Sequence, residues 1–400
     1  MGRDLRLLLA AVTCTFVGNQ TIQPMIALYA QGGLGLDELW VGIAVAAYAF
    51  VPLFCAVPLG ASVDRLGSRR LMRLGASIMT LGMAVLVLWR SVPGLLVAQL
   101  SGGFAHLMFT VASQTYVARA GRPEDREGNF GYYTFAASLG QFIGPPIGGS
   151  LIDAAGFRVA FGVATAITAL SLPLLFKMSA EPGVEEAPEP VARRAPRPGS
   201  PVHGIGAMLR NPWVLASMLA SSGALFGTGV RSSFYPIYLQ NLGFSAAAIG
   251  VLVSAGALCG MFVRPFLRFL TPVFGRRALL LGSMVLITVG LAATPFTARF
   301  DVLLAAAAVT GVGHGVSQPL TMVMVADAVD ARVHGLAVGL RLSANRASQA
   351  ANPILYGITV AGYGLPAAFY LAGAVVLATT LGTAVLYRRA VARAAVGSAA

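Results

Sequence analysis

Scattered through long apolar runs of this 400-residue chain are side chains able to donate hydrogen bonds, hold charge or move a proton. They are Asn19 and Gln23, His106 and Thr110, Arg231, Tyr235 and Tyr238, His314 and Gln318, and Asn345 with Arg346, joined by Gln20, Arg341 and Asn352 nearby. Most recur at helical spacing, so each set shares one helix face. A guanidinium offers a fork of donors to an anionic group, and an imidazole titrates near neutral pH without a carboxylate partner, which makes His106 and His314 the proton-carrier candidates. Arginine at mid-bilayer depth costs about 3 kcal/mol on insertion scales, so Arg231 and Arg346 are expected to meet a substrate, backbone carbonyls or a loop acid. Arg264, which precedes Pro265, and Arg341, near the end of its run, read as structural or snorkelling. No nucleophile–base set, metal cluster or phosphate loop accompanies these residues, so neither an enzyme nor a cofactor is expected.

The elements that must position them follow from composition. Apolar residues make up 56% and charged residues only 11%, against roughly 25% charged in soluble chains. The bilayer is therefore the expected solvent, with the cell membrane as location. A net charge of +13 does not indicate nucleic acid, because the arginines fall in short clusters between apolar runs without an aromatic–basic strip or zinc spacing. Cys14, Cys55 and Cys259 are odd in number and far apart, and read as small core residues. Apolar runs of about 20 residues, the length that crosses the hydrocarbon core, predict about twelve helical crossings. They lie near 5–30, 40–62, 71–89, 94–117, 129–152 and 157–176, and then near 211–234, 246–267, 278–297, 301–326, 336–362 and 366–387.

Around 178–210 the chain turns proline-rich and charged with no period that buries a face, which marks a linker between bundles at 1–177 and 211–400. The halves repeat one another. Gly103-Phe104-Ala105-His106 recurs as Gly311-Val312-Gly313-His314, Gly67 with Arg69 and Arg70 recurs as Gly275-Arg276-Arg277, and Pro24 matches Pro236. Such internal repeats with broken helices point to a transporter site between them. Placing both termini in the cytoplasm puts most of the 28 basic residues there, leaving Arg90, Arg158 and Arg299 outside and Arg231, Arg264, Arg341 and Arg346 in or near spans.

Between the second and third spans the chain reads Gly60, Asp64-Arg65, Gly67, then Arg69-Arg70. The fifth span carries Gly131, Gly140, Gly144-Pro145 and Gly148-Gly149, spacings that strip side chains from one face so that another backbone can approach. The loop resembles the signature loop of the major facilitator superfamily, and the glycine–proline pattern is similar to that of its twelve-helix drug:proton antiporters. The resemblance implies two pseudo-symmetric six-helix bundles. It implies a cytoplasmic latch from Asp64 toward the second half, and a cavity lined by the first, fourth, seventh and tenth spans. On those spans lie Asn19, Gln23, His106, Thr110, Arg231, Tyr235, Tyr238, His314 and Gln318, with Asn345 and Arg346 on the eleventh. Two departures stand out. Gln99 precedes Gly103 where proton-coupled members carry an arginine, and Asp64, Asp153, Asp301, Asp327 and Asp330 all fall at span ends.

The expected function is secondary active transport by a monomer: proton-coupled efflux of small amphipathic molecules, neutral or anionic before cationic. An uptake permease or facilitator for a small nutrient, or a flippase for lipid-like amphiphiles, is the alternative.

Overall fold

A computed structural model describes residues 2–119, 126–179, 206, 208–329 and 334–397. The 178–210 linker lies almost wholly outside them. Among the described residues every regular element is helical. The helices are α1 (Arg3–Ile22), α2 (Glu38–Leu66), α3 (Ser68–Leu88), α4 (Val92–Arg119), α5 (Arg126–Ala169), α6 (Ser171–Phe176), α7 (Pro212–Asn241), α8 (Ala246–Val263), α9 (Leu267–Ala293), α10 (Phe300–Asp327), α11 (His334–Tyr363) and α12 (Leu365–Gly397). This is the outcome lipid imposes, since backbone polar groups must be satisfied within each segment.

Nine helical stretches among the described residues are long and apolar enough to cross a membrane. Two of them, Gly128–Phe176 and Ala246–Phe296, are far longer than one crossing and each holds two of the expected spans. Gly156, at φ +79°, divides the first; a 3-10 turn at Arg264–Phe266 and Gly275, at φ +76°, divide the second. The helix over the 336–362 span, α11, is more polar and is not one of the nine. The prolines of the first helix in each half act differently: Pro24 opens a 3-10 turn, Gln23–Met25, that interrupts the first helix, whereas Pro236 lies inside an unbroken α7.

The duplication is written in the backbone as well as in motifs. All positive-φ residues among those described are glycines, and they fall into three pairs: Gly35 with Gly243, Gly67 with Gly275, and Gly156 with Gly364. Each pair keeps the sequence separation that relates Gly103 to Gly311. A β-carbon is strained at such φ values, so these turns are where glycine is required.

The chain forms two compact units. The first comprises Met1–Pro190, Arg231–Ser254 and Pro353–Ala361; the second comprises Val191–Val230, Ala255–Asn352 and Gly362–Ala400. In the first, α1 runs along α5, and α4 packs on α2 and α3. Its core gathers Leu8, Met72, Phe109 and Val117, all but inaccessible. In the second, α9 packs against α10 and α12. Large apolar side chains are also turned outward, among them Leu81, Leu88, Val273, Phe296 and Leu381. That exterior suits acyl chains. In lipid, close packing and interhelical hydrogen bonds rather than water exclusion hold such helices together.

Candidate functional site

In the first unit the predicted residues of α1 and α4 come together through two partners not singled out for the cavity. Asn19, 3% exposed, donates from Nδ2 to the Tyr48 hydroxyl of α2 at 2.9 Å. The His106 ring meets Phe16 edge-on with centroids 5.1 Å apart, and lies 6.1 Å from the Tyr48 ring. One turn along, Gln23 Nε2 donates to Gln99 Oε1 at 3.3 Å, and Gln99 Nε2 donates to the Ala44 carbonyl at 3.3 Å. Gln99, where an arginine was the family expectation, is therefore a buried carboxamide relay between α1 and α2. Thr110 lies half-buried one turn from His106.

The glycine face of α5 is packed backbone on backbone. A β-carbon at Gly140 would sit 2.5 Å from Phe16 Cβ, and one at Gly144 would sit 2.7 Å from the Gln20 carbonyl carbon. At Gly148 it would run into the Thr21 carbonyl oxygen, and at Gly149 into that of Ala246 at the start of α8. Gly250 of α8 presses in return on the carbonyl of Pro145. Gly131, by contrast, has nothing within reach of an added β-carbon. The tight face therefore runs from Gly140 to Gly149, against α1 on one side and α8 on the other.

Asp153 completes this contact, and its part was not evident from its place at a span end. Its two carboxylate oxygens accept from the backbone N–H groups of Ala246 at 2.9 Å and Ala247 at 2.8 Å. These are orphan donors at the N-terminus of α8, where a negative charge is favoured by the helix dipole as well as by hydrogen bonding. Ser254 of α8 donates to the Phe142 carbonyl of α5 at 2.7 Å. Arg231 donates from Nη2 to the Leu252 and Val253 carbonyls of α8 at 3.1 and 3.3 Å, with its guanidinium 5.4 Å from the ring centre of Tyr235. Of the expected partners, substrate, backbone carbonyls or a loop acid, Arg231 meets backbone carbonyls. Tyr235 and Tyr238 are both buried.

The second unit concentrates polar side chains instead. Ser221 Oγ of α7 donates to Asn345 Oδ1 of α11 at 2.8 Å, and Ser222 Oγ approaches the same oxygen at 3.3 Å. Gln318 of α10 donates from Nε2 to the Ser221 carbonyl at 3.3 Å. Arg341 donates from Nη2 to Gln318 Oε1 at 3.0 Å, to the Gln318 carbonyl at 3.2 Å and to Thr321 Oγ1 at 2.8 Å. With 4% exposure Arg341 does not snorkel; of the two readings, structural or snorkelling, its bonds to α10 match the structural one. Asn352 Nδ2 donates to the Leu225 carbonyl at 3.4 Å, farther along the α11 stripe. Arg346 bonds Gln349 of its own helix at 3.0 Å, and His314 is half-buried on α10 one turn from Gln318. The adjacent serines of α7 were a weak sequence signal for this cluster; nothing in the sequence marked Tyr48.

In the basic loop, Gly67 breaks the helix between α2 and α3 at φ +84°. Arg69 donates to the Met178 carbonyl at 2.9 Å, and Arg73 bonds the Leu175 carbonyl through Nε and Nη2 at 3.1 and 3.0 Å. Arg65 and Arg70 are exposed. Gly60 and Asp64 fall within α2, with the Asp64 side chain outside what is described. In the second-half loop Arg276, next to Gly275, pairs with Asp327 at the end of α10.

Among the described residues, helices with a duplicated backbone register, outward-facing apolar side chains and polar clusters between them make a polytopic membrane protein. Residues 8–270 and 218–399 match the Major Facilitator Superfamily, and the chain belongs to it. It is 26% identical to multidrug resistance protein 1 of Bacillus subtilis (strain 168) over 292 residues, 71% of each chain. It is 27% identical to the multi-drug resistance efflux pump PmrA homolog of Lactococcus lactis subsp. lactis, over 68% of each. Over 47% of this chain and 48% of the relative it is 30% identical to the class C tetracycline resistance protein of Escherichia coli. Among solved structures the fold resembles the nucleoside transporter NupG, with a TM-score of 0.82 at 12% identity, covering 96% of this chain and 100% of that one. It also resembles a peptide transporter of the POT type, with a TM-score of 0.80 at 14% identity, covering 98% and 95%.

Proposed function

We propose that this chain exports small amphipathic molecules in exchange for protons, preferring neutral and anionic cargo to cationic. It does so as a monomer by alternating access, with both termini on the cytoplasmic side of the cell membrane. The observation that carries the reading is the glycine face of α5, whose Gly140–Gly149 stretch lies backbone to backbone against α1 and α8. A face without side chains lets helices slide or rock with little repacking, which alternating access requires. The relatives named for multidrug and tetracycline resistance support drug-like amphiphiles as cargo. The anionic preference rests on Arg341, buried among neutral groups, and on the distribution of acids, which lie toward span ends. His106 and His314, at equivalent repeat positions, are assigned as proton carriers because imidazole titrates in the physiological range.

The test is transport in proteoliposomes with an imposed pH gradient, using 1-naphthoate, 1-naphthamide and 1-naphthylmethylammonium as matched anionic, neutral and cationic probes. Naphthoate and naphthamide should move against the proton flux, and gradient dependence should fall in His106→Gln and His314→Gln. Movement of the probes in the same direction as protons would establish uptake instead. Transport of the cation alone would overturn the charge preference.

A further inference from the structure

Arg341 is the one arginine among the described residues that is buried, and it lies in the second unit without a counter-charge. Its Nη2 makes the three oxygen contacts given above, whereas Nη1 reaches only the Met322 sulfur at 3.7 Å. Nε, fully shielded from solvent, has no hydrogen-bond partner. Every partner is neutral, and no carboxylate among the described residues pairs with it. A guanidinium buried without a counter-charge is costly, and a snorkelling exit is closed to a side chain 4% exposed. Beside it, Gln318 Oε1 supplies an uncharged oxygen at 3.0 Å, in the direction from which a carboxylate oxygen could bind more closely. That amide is lightly held: its other contacts are 3.3 Å bonds to the Ser221 hydroxyl and carbonyl, and Gln318 itself is only half-buried.

We infer that Arg341 is the anion-recognition residue of the transporter, receiving the carboxylate of an organic-acid substrate in the place where Gln318 Oε1 now stands. The guanidinium fork takes the two carboxylate oxygens. Displaced, the Gln318 amide turns its donor toward the ligand, beside Ser221 of α7 and the Asn345 of α11 that Ser221 bonds. The chemistry selects organic carboxylates with an apolar body over amides and ammonium ions of the same shape. The inference rests on the exporter reading above and assigns its charge preference to one residue, in place of Arg231, which is engaged with α8 carbonyls.

The experiment is thermal stabilisation of the detergent-purified full chain by the three naphthyl probes, a ligand bound to the folded state raising stability by mass action. Naphthoate should stabilise the parent more than naphthamide or naphthylmethylammonium do. Arg341→Gln should weaken its apparent affinity about tenfold to a hundredfold, the range for losing a charged hydrogen-bond pair. Because Arg341→Gln alone could unfold the chain, Gln318→Glu is the second variant: its carboxylate should occupy the guanidinium, raise the melting temperature and remove the response to naphthoate. An unchanged naphthoate response in Gln318→Glu, or no response in the parent, overturns the assignment. Gradient-driven transport of naphthamide, measured separately, then shows whether the exporter reading survives without it.

Discussion

The α1–α5–α8 contact in the first unit and the α7–α10–α11 contact in the second solve the same problem, joining helices in lipid, by opposite means. In the first, side chains are removed: Gly140, Gly144, Gly148 and Gly149 bring backbones together, and a single acid, Asp153, caps the end of α8. In the second, side chains are added: Ser221, Ser222, Gln318, Arg341 and Asn345 bridge the helices through directional bonds. Backbone contact is insensitive to chemistry but intolerant of volume. A polar network tolerates volume poorly at few positions, yet it presents donors and charge that a ligand can use. The contrast teaches where motion and where recognition reside: the glycine face suits gating and the polar cluster suits binding.

Volume placed on the glycine face has the largest expected effect. Gly148→Leu should collide with the Thr21 backbone, costing about 1–3 kcal/mol or more in apparent stability and abolishing transport. Gly131→Leu, facing open space, should stay within about 0.5 kcal/mol of the parent. Melting curves on the two purified variants decide, and equal behaviour would dissolve the claim that the motif works by close approach.

A smaller effect is expected at the cap. Asp153→Ala removes both acceptors for the Ala246 and Ala247 amides, a loss of about 1–2 kcal/mol for a charged N-cap. Amide hydrogen exchange at residues 246–248 should quicken by about tenfold or more. Asp153→Asn, which keeps one oxygen, should fall between. Unaltered exchange in the alanine variant would show that the glycine contacts hold α8 without help.

The smallest change concerns the first unit's own polar pair. Tyr48→Phe removes the oxygen acceptor of buried Asn19 and leaves its Nδ2 only the Met79 sulfur at 3.9 Å, at about 1 kcal/mol. Combined with Asn19→Ala, the two costs should be clearly less than additive in a double-mutant cycle, as expected of partners in one bond. Full additivity would mean that they act separately.

Composition and span length made the helical membrane fold legible, because lipid leaves so few backbone solutions. Repeated motifs made the duplication legible, and the glycine–proline pattern located the tight helix face apart from Gly131. Spacing also put Asn19, Gln318 and Asn345 on faces from which they bond other helices, since a helix face is set by residue number alone. What no spacing could supply was partnership across helices. Tyr48 answers Asn19 from another span, and Asp153 reaches the start of α8 from far away in sequence. Arg341, placed by its position near a helix end, proved more deeply buried than Arg346 or Arg231. The sequence by itself determined the solvent, the elements and which residues share a face, because these depend on local period and on length. Tertiary structure alone decided which charges are satisfied and by what, because that depends on which face of a distant helix lies within about 3 Å.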